Sequence, residues 1–244
     1  MKISPAKMHR IKSVKGFTVF LKNTFLFAAR TTLRGAFVLT FIVLDKEICM
    51  KVCILMGSPR LNGNTATLVE LFANELKKHD VEINVINLYT KSIKPCIACR
   101  KCQDIFGAFG CPQQDDMQFI FDSIREADIF ALATPIYSWY CTPPMKAMLD
   151  RLVYGMNKYY GNTEKKECLW ENKKCAIITT CGYAIEKGAD VFEQGIKRYC
   201  KHSKLVFAGM HAARDEGYHT KFINEQKIEQ AKQFAVQLVD RFET

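Results

Sequence analysis

No run of about 18 or more apolar residues occurs in the chain, so no ordinary membrane-spanning helix is expected. The longest apolar stretch near the start, GAFVLTFIVL at residues 35–44, is too short to cross a bilayer. Histidine is scarce, with five in 244 residues, and none stands in a pattern that marks a nucleophile–base triad. The phosphate loop ending in Gly-Lys-Ser/Thr and the G-x-G-x-x-G dinucleotide fingerprint are both missing. There is no internal repeat and no low-complexity tract. Acidic residues are absent before Asp45.

That last absence explains the net charge of +10. Residues 1–49 hold nine Lys or Arg against Asp45 and Glu47, which is +7, and leave +3 for the other 195 residues. A basic groove for nucleic acid needs its cations on the folded body, so nucleic acid and membrane are not expected partners. The basic stretch has the Arg, Lys, Ser and Thr content of an organelle transit peptide. It also fits a start assigned too far upstream, with the folded protein beginning at Met50. The expected organisation is an extension over residues 1–49 and one domain over residues 50–244. The eleven cysteines are an odd number, dispersed, and partly inside apolar segments. This argues against a disulfide scaffold and for a reducing compartment such as the cytoplasm.

After residue 49 the periodicities alternate. Apolar runs at residues 51–56, 128–134, 175–180 and 204–210, with the alternating VEINVINL at 81–88, read as five strands. Helical stripes fall between them: Leu68, Leu71, Phe72 and Leu76; Met117, Ile120, Phe121 and Ile124 behind Asp115 and Asp116; Met145, Met148, Leu149 and Leu152 behind Pro143 and Pro144. A fourth helix is expected over about residues 186–199, and Ile228, Ala231, Phe234, Ala235 and Leu238 mark the last. The expected fold class is α/β, a flavodoxin-like doubly wound five-stranded parallel sheet of order 2-1-3-4-5 with helices on both faces. Its ligand site lies at the carboxyl ends of the strands, where the loops GSPRLNGNT, TPIYSWYCTPP and TCGYA should meet.

The first loop leads into a helix N-terminus, which suits phosphate. Ser58, Asn62, Asn64 and Thr65 add hydrogen-bonding side chains and Arg60 a forked cationic donor. A tight strand-to-helix turn with an Asn cap reads the same residues without a ligand. The second loop sets Pro135, Ile136, Tyr137, Ser138 and Trp139 after the third strand, where flat and apolar groups can flank a planar ring; an interface or core cluster is the alternative. The third loop brings Cys181 and Gly182 to the ring edge. Separately, Cys96-x2-Cys99-x2-Cys102-x8-Cys111 collects four thiols at close spacing. Such a set reads as four-cysteine ligation of a 4Fe–4S cubane, as a zinc site, as a redox dithiol, or as an unligated loop.

These segments, GSPRLNGNT, IKPCIACRKC and the run from Cys111 to Arg151, resemble the NAD(P)H-dependent FMN reductase family in the branch that includes iron–sulfur flavoproteins. The resemblance starts at Met50 and is strongest over residues 50–154. It implies bound FMN, its phosphate held by Ser58, Arg60, Asn64 and Thr65 and its isoalloxazine bordered by Pro135, Ile136, Tyr137 and Trp139. It implies NAD(P)H as co-substrate, electron transfer to a small or protein acceptor, and a homodimer or dimer of dimers. In the iron–sulfur branch a C-x2-C-x2-C-x4-to-7-C run ligates a 4Fe–4S cluster; here the last gap is eight residues, which leaves the fourth ligand open. The flavin carries the chemistry, and no side chain is expected to act as nucleophile.

Overall fold

A computed structural model describes residues 25–33, 36–44, 50–217 and 219–243. The chain divides into two compact units, Met1–Ile48 and Cys49–Thr244. In the first, β1 (Phe25–Leu33) and β2 (Ala36–Leu44) form an antiparallel hairpin with Phe25 opposite Leu44 and Leu33 opposite Ala36. The reading of residues 1–49 as a targeting segment or misassigned start falls mostly on residues outside the described ones.

The second unit runs β3 (Met50–Met56), α1 (Asn64–Leu76), β4 (Val81–Asn87), α2 (Met117–Glu126), β5 (Ile129–Pro135) and α3 (Pro143–Met156). Then follow β6 (Asn157–Lys158), β7 (Glu167–Cys168), β8 (Lys174–Cys181), α4 (Ile185–Gly188), α5 (Asp190–His202), β9 (Val206–Arg214) and α6 (Glu225–Glu243). Five strands make one sheet in the order β4-β3-β5-β8-β9, all parallel. Counted along the sheet this is the expected 2-1-3-4-5.

The central strands are apolar runs because helices cover both of their faces. Residues 52–56 of β3 and 129–134 of β5 are buried throughout. On one face Leu68, Phe72 and Leu76 of α1 pack with Phe234, Ala235 and Leu238 of α6. On the other, Ile120 and Phe121 of α2, Met145 and Leu149 of α3, and Phe192 and Ile196 of α5 form a second core. α3 opens with prolines at its first two positions, where a missing N–H costs no helical hydrogen bond.

Three details depart from the sequence reading. The fifth sheet strand begins at Val206 and continues to Arg214, so His211 lies inside a strand rather than after one. A register shift at Cys175/Ala176, with Gly209 at φ 124°, lets that strand stay paired past the irregularity. The helix expected over about residues 186–199 is two helices, α4 and α5, joined at Ala189. Finally, β6 and β7 form a small antiparallel pair that alternation could not reveal, since each has only two residues.

Candidate functional site

The turn out of β3 is built by short hydrogen bonds. Gly57 donates from its N–H to the Ala133 carbonyl (2.7 Å), and the Thr142 hydroxyl donates to the Gly57 carbonyl (2.7 Å). A Cβ at Gly57 would stand 3.0 Å from both Met145 Cε and Thr142 Oγ1, so a larger residue there would have to push these side chains of α3 and its N-cap aside. Ser58 is buried. Its Oγ accepts from the Arg60 N–H (3.3 Å) and donates to the Arg60 carbonyl (3.2 Å), closing the turn. Asn64 donates from Nδ2 to Asp215 (2.8 Å), and Thr65 shares a buried hydroxyl pair with Thr180 (2.8 Å). Ser58, Asn64 and Thr65 are therefore engaged within the chain. Arg60 and Asn62 are exposed.

Helix α1 begins after Gly63 with no side-chain cap and no acid in its first turn. The backbone N–H groups of Asn64, Thr65 and Ala66 have no acceptor among the described residues. Orphan donors at the positive end of a helix dipole are the arrangement that a phosphate satisfies. The residues present thus fit the anionic tail of a flavin mononucleotide, with main-chain N–H groups as donors and the side chains shaping the loop.

The loop after β5 meets the same region. Ile136 donates its N–H to the Thr180 carbonyl (2.8 Å). Tyr137 and Tyr140 exchange backbone hydrogen bonds of 2.9 and 3.0 Å across a two-residue turn in which Ser138 (φ 49°) and Trp139 (φ 62°) are both left-handed. Positive φ at both central residues marks a type I′ turn. Tyr137, Ser138 and Trp139 are exposed; Pro135 and Ile136 are half-buried. Trp139 stacks on Tyr183 with ring centroids 5.7 Å apart and planes 13° apart, and donates its indole N–H to the Lys187 carbonyl (3.0 Å). Of the backbone donors expected after Pro135, those of Ile136 and Tyr137 are already used. Those of Ser138 and Trp139 have no acceptor among the described residues. Cys181 is buried, with its thiol against the Tyr183 carbonyl (3.3 Å). Beside it Gly182 faces open space, where an added Cβ would meet nothing within 4 Å. The three loops converge as the strand order requires. Sequence reasoning named the loop of Thr180 and Tyr183 without singling out either residue, and missed Asp215, whose proximity depends on strand register.

The cysteine loop connects β4 to α2 by a separate route. Cys96, Cys99, Cys102 and Cys111 all line one small cavity of about 20 Å³, together with Arg151 and Tyr154. Ala98 (φ 52°) and Arg100 (φ 58°) take left-handed conformations between the first three cysteines. Three sulfurs receive hydrogen bonds: the Ala98 N–H to Cys96 (3.4 Å), Gln103 Nε2 to Cys102 (3.9 Å) and Arg151 Nη2 to Cys111 (3.2 Å). Phe109 anchors the loop. It is 2% exposed, its ring lies 5.0 Å from that of Phe121, and it fills the space in which a Cβ on Gly155 would sit. Burial pushes the Cys102 thiol up from its ordinary value, against the Gln103 hydrogen bond and the Lys158 charge. Arg151 forms an ion pair with Asp115, both side chains almost fully buried. Burial raises the Asp115 carboxyl, but the hydrogen bonds from Arg151, Lys94 and Met117 outweigh it and hold the group below its usual range. Among the described residues no three His, Cys, Asp or Glu side chains converge as a single ion requires. A cubane holds its four thiolates farther apart than one ion does. A four-thiol cavity with hydrogen bonds to the sulfurs fits that donor set.

The sheet order, the helices on both faces and the loops gathered over the carboxyl edge place the second unit in the class of flavodoxin-like α/β proteins. The chain belongs to the NADPH-dependent FMN reductase family, which matches residues 50–213. An iron–sulfur flavoprotein of Archaeoglobus fulgidus is 32% identical over 172 residues, 64% of this chain and 77% of the relative. One of Methanocaldococcus jannaschii is 35% identical over 102 residues, 42% of this chain; the match spans 51% of that relative's length. Among solved structures, an NAD(P)H:quinone oxidoreductase from Methanothermobacter marburgensis aligns with a TM-score of 0.57 at 20% identity, covering 78% of this chain and 97% of its own. At that identity the likeness concerns the fold.

Proposed function

We propose that residues 50–244 bind FMN and act as an NAD(P)H oxidoreductase, passing electrons from the nicotinamide to a quinone, a nitro compound, free flavin or a protein acceptor. The observation that carries this reading is the set of unpartnered N–H groups at the start of α1, opening where the loops after β3, β5 and β8 meet. Membership of the reductase family supports it.

Bound FMN supplies hydride acceptance and electron release. The chain's own residues do the rest. The N–H groups of Asn64, Thr65 and Ala66 hold the phosphate, and the Arg60 guanidinium and the α1 dipole offset its charge. Ser58 holds the loop in shape, and the exposed Asn62 adds a hydrogen-bonding side chain to the same loop. Pro135, Ile136 and Tyr137 border the ring, with the Ser138 and Trp139 N–H groups left to address its heteroatoms. The Trp139–Tyr183 stack, Cys181 and Gly182 flank its edge. No side chain acts as a nucleophile, and one ring-sized space serves donor and acceptor in turn, giving ping-pong kinetics.

A second reading makes the protein an iron–sulfur flavoprotein or electron carrier, with a 4Fe–4S cluster on Cys96, Cys99, Cys102 and Cys111. The lining of one cavity by all four cysteines favours it, as does the similarity to iron–sulfur flavoproteins. Its natural partner is a single-electron protein acceptor. The assembly proposed for either reading is a homodimer or dimer of dimers. The proposed location is cytoplasmic, or an organelle if residues 1–49 act as a targeting segment.

Anaerobically purified protein tests both readings. Flavin absorption bands and steady-state oxidation of NADH or NADPH with a quinone are expected. Colourless protein that takes up no FMN overturns the first reading. Iron and acid-labile sulfide at about four per chain establish the second, and flavin with no iron removes it.

A further inference from the structure

Arg151 lines the cysteine cavity, a second basic side chain lies behind the loop that carries the cysteines, and FMN-based chemistry makes no use of either. Lys158, in β6, is fully buried. Its Nζ donates to the carbonyl oxygens of Cys102 (2.8 Å) and Phe109 (3.1 Å). An ammonium has three N–H donors, and the third has no acceptor among the described residues. Lys158 forms no ion pair among them either. Glu167, the acid in its neighbourhood, accepts the Gly107 N–H at 2.7 Å. Burial lowers the Lys158 pKa from its ordinary value, and the neighbouring Cys102, Glu167 and Cys111 oppose that shift.

Arg151 lines the cavity itself, its side chain 1% exposed and paired with Asp115. Its Nη2 donates to Cys111 Sγ (3.2 Å), and its buried Nε has no partner. Two buried cations thus face one buried carboxylate behind four thiols. A buried cation with no close ion-pair partner is unfavourable; it either gives up its proton or is stabilised by an anion nearby. Neutral thiols supply none. Four thiolates around an iron–sulfur core make a net anion, whose charge grows by one on reduction, and nearby charge is one of the levers on its potential.

We propose that Lys158 is a positioning residue for an iron–sulfur cluster held by Cys96, Cys99, Cys102 and Cys111, and that its buried ammonium raises the cluster's reduction potential. The inference rests on the iron–sulfur reading of the cysteine loop. Lys158 ties down the carbonyls of Cys102 and Phe109, one on each arm of the eight-residue gap, and so keeps Cys111 beside the other three cysteines. Its charge favours the more negative, reduced state over the oxidised one.

The Lys158→Met variant tests this. Full-length wild type and variant are reconstituted anaerobically with ferrous iron and sulfide, then titrated with dithionite while optical and electron-paramagnetic-resonance signals are followed. Circular dichroism and FMN retention report the fold. The variant is expected to keep its fold and FMN. At a fixed potential its ratio of reduced to oxidised cluster should be at least tenfold lower, about 59 mV for one electron. Wild type that takes up no iron overturns the cluster reading and the role of Lys158 with it. A wild-type cluster together with an unchanged midpoint in the variant overturns the role of Lys158 alone. Should Lys158→Met not fold, Lys158→Gln keeps a donor, drops the charge and enters the same titration. Failure of both to fold assigns Lys158 to the scaffold and overturns its effect on potential.

Discussion

At the scale of single residues, the two groups with the clearest consequences are Arg60 and His211. Arg60 is the exposed cation of the β3–α1 loop, and its N–H is already tied to Ser58, which leaves the guanidinium for the ligand. Arg60→Ala should weaken FMN binding by about 1.5–3 kcal/mol, the worth of a charged hydrogen bond, read as a tenfold or greater rise in Kd by fluorescence titration. His211 is 7% exposed on β9, packed against Phe234, and its buried Nε2 has no partner. Burial lowers its pKa from 6.5 to about 4. The unfolded chain then binds the proton more readily than the folded one. The stability His211 permits is complete above pH 6.5, lost progressively as pH falls toward 4, and flat below that. The loss amounts to at most about 3 kcal/mol. Urea titrations between pH 7 and 4 should show that slope in the wild type and a shallower one in His211→Phe.

At the scale of elements, the two candidate sites are assembled differently. The candidate flavin site is a meeting of strand ends, held by Thr65–Thr180 across α1 and β8 and by Ile136–Thr180 across β5 and β8. The cysteine site is a loop pinned onto α3 and β6. Phe109 sits where a Cβ on Gly155 would come within 2.1 Å of its ring. Gly155→Ala should therefore expel the ring, cost about 1–3 kcal/mol by overpacking, and loosen the cysteine loop while leaving FMN binding intact. Thermal melts and thiol-labelling rates of Cys102, which is 8% exposed in the wild type, would show it. Helix stripes and central strands were legible in the sequence because period and burial coincide there. The turn Tyr137–Tyr140, the break at Ala189 and the β6–β7 pair were not. They depend on hydrogen bonds between segments too short to carry a period.

For the molecule as a whole, the sheet separates two cores, one under α1 and α6 and one under α2, α3 and α5. The proposed flavin site lies along the carboxyl edge that joins them. A ligand that bridges loops from β3, β5 and β8 binds only the folded state, so FMN at about 100 times its Kd should add about 2.7 kcal/mol of stability. Calorimetry should show a rise in Tm that depends on FMN concentration, and riboflavin, which lacks the phosphate, should reproduce little of it.

The amino-acid order alone determined the alternation of strands and helices and the sheet order it implies. It also placed the polar loop before α1 and the four cysteines in one segment. Those are local properties, written in hydrophobic period and spacing. Only the tertiary structure decided which donors stay open at the start of α1, since Ser58, Asn64 and Thr65 prove to be engaged. It alone set Lys158 and Arg151 behind the thiols, because hydrogen bonds from Lys158 to the carbonyls of residues 49 and 56 positions away follow from packing and leave no trace in spacing.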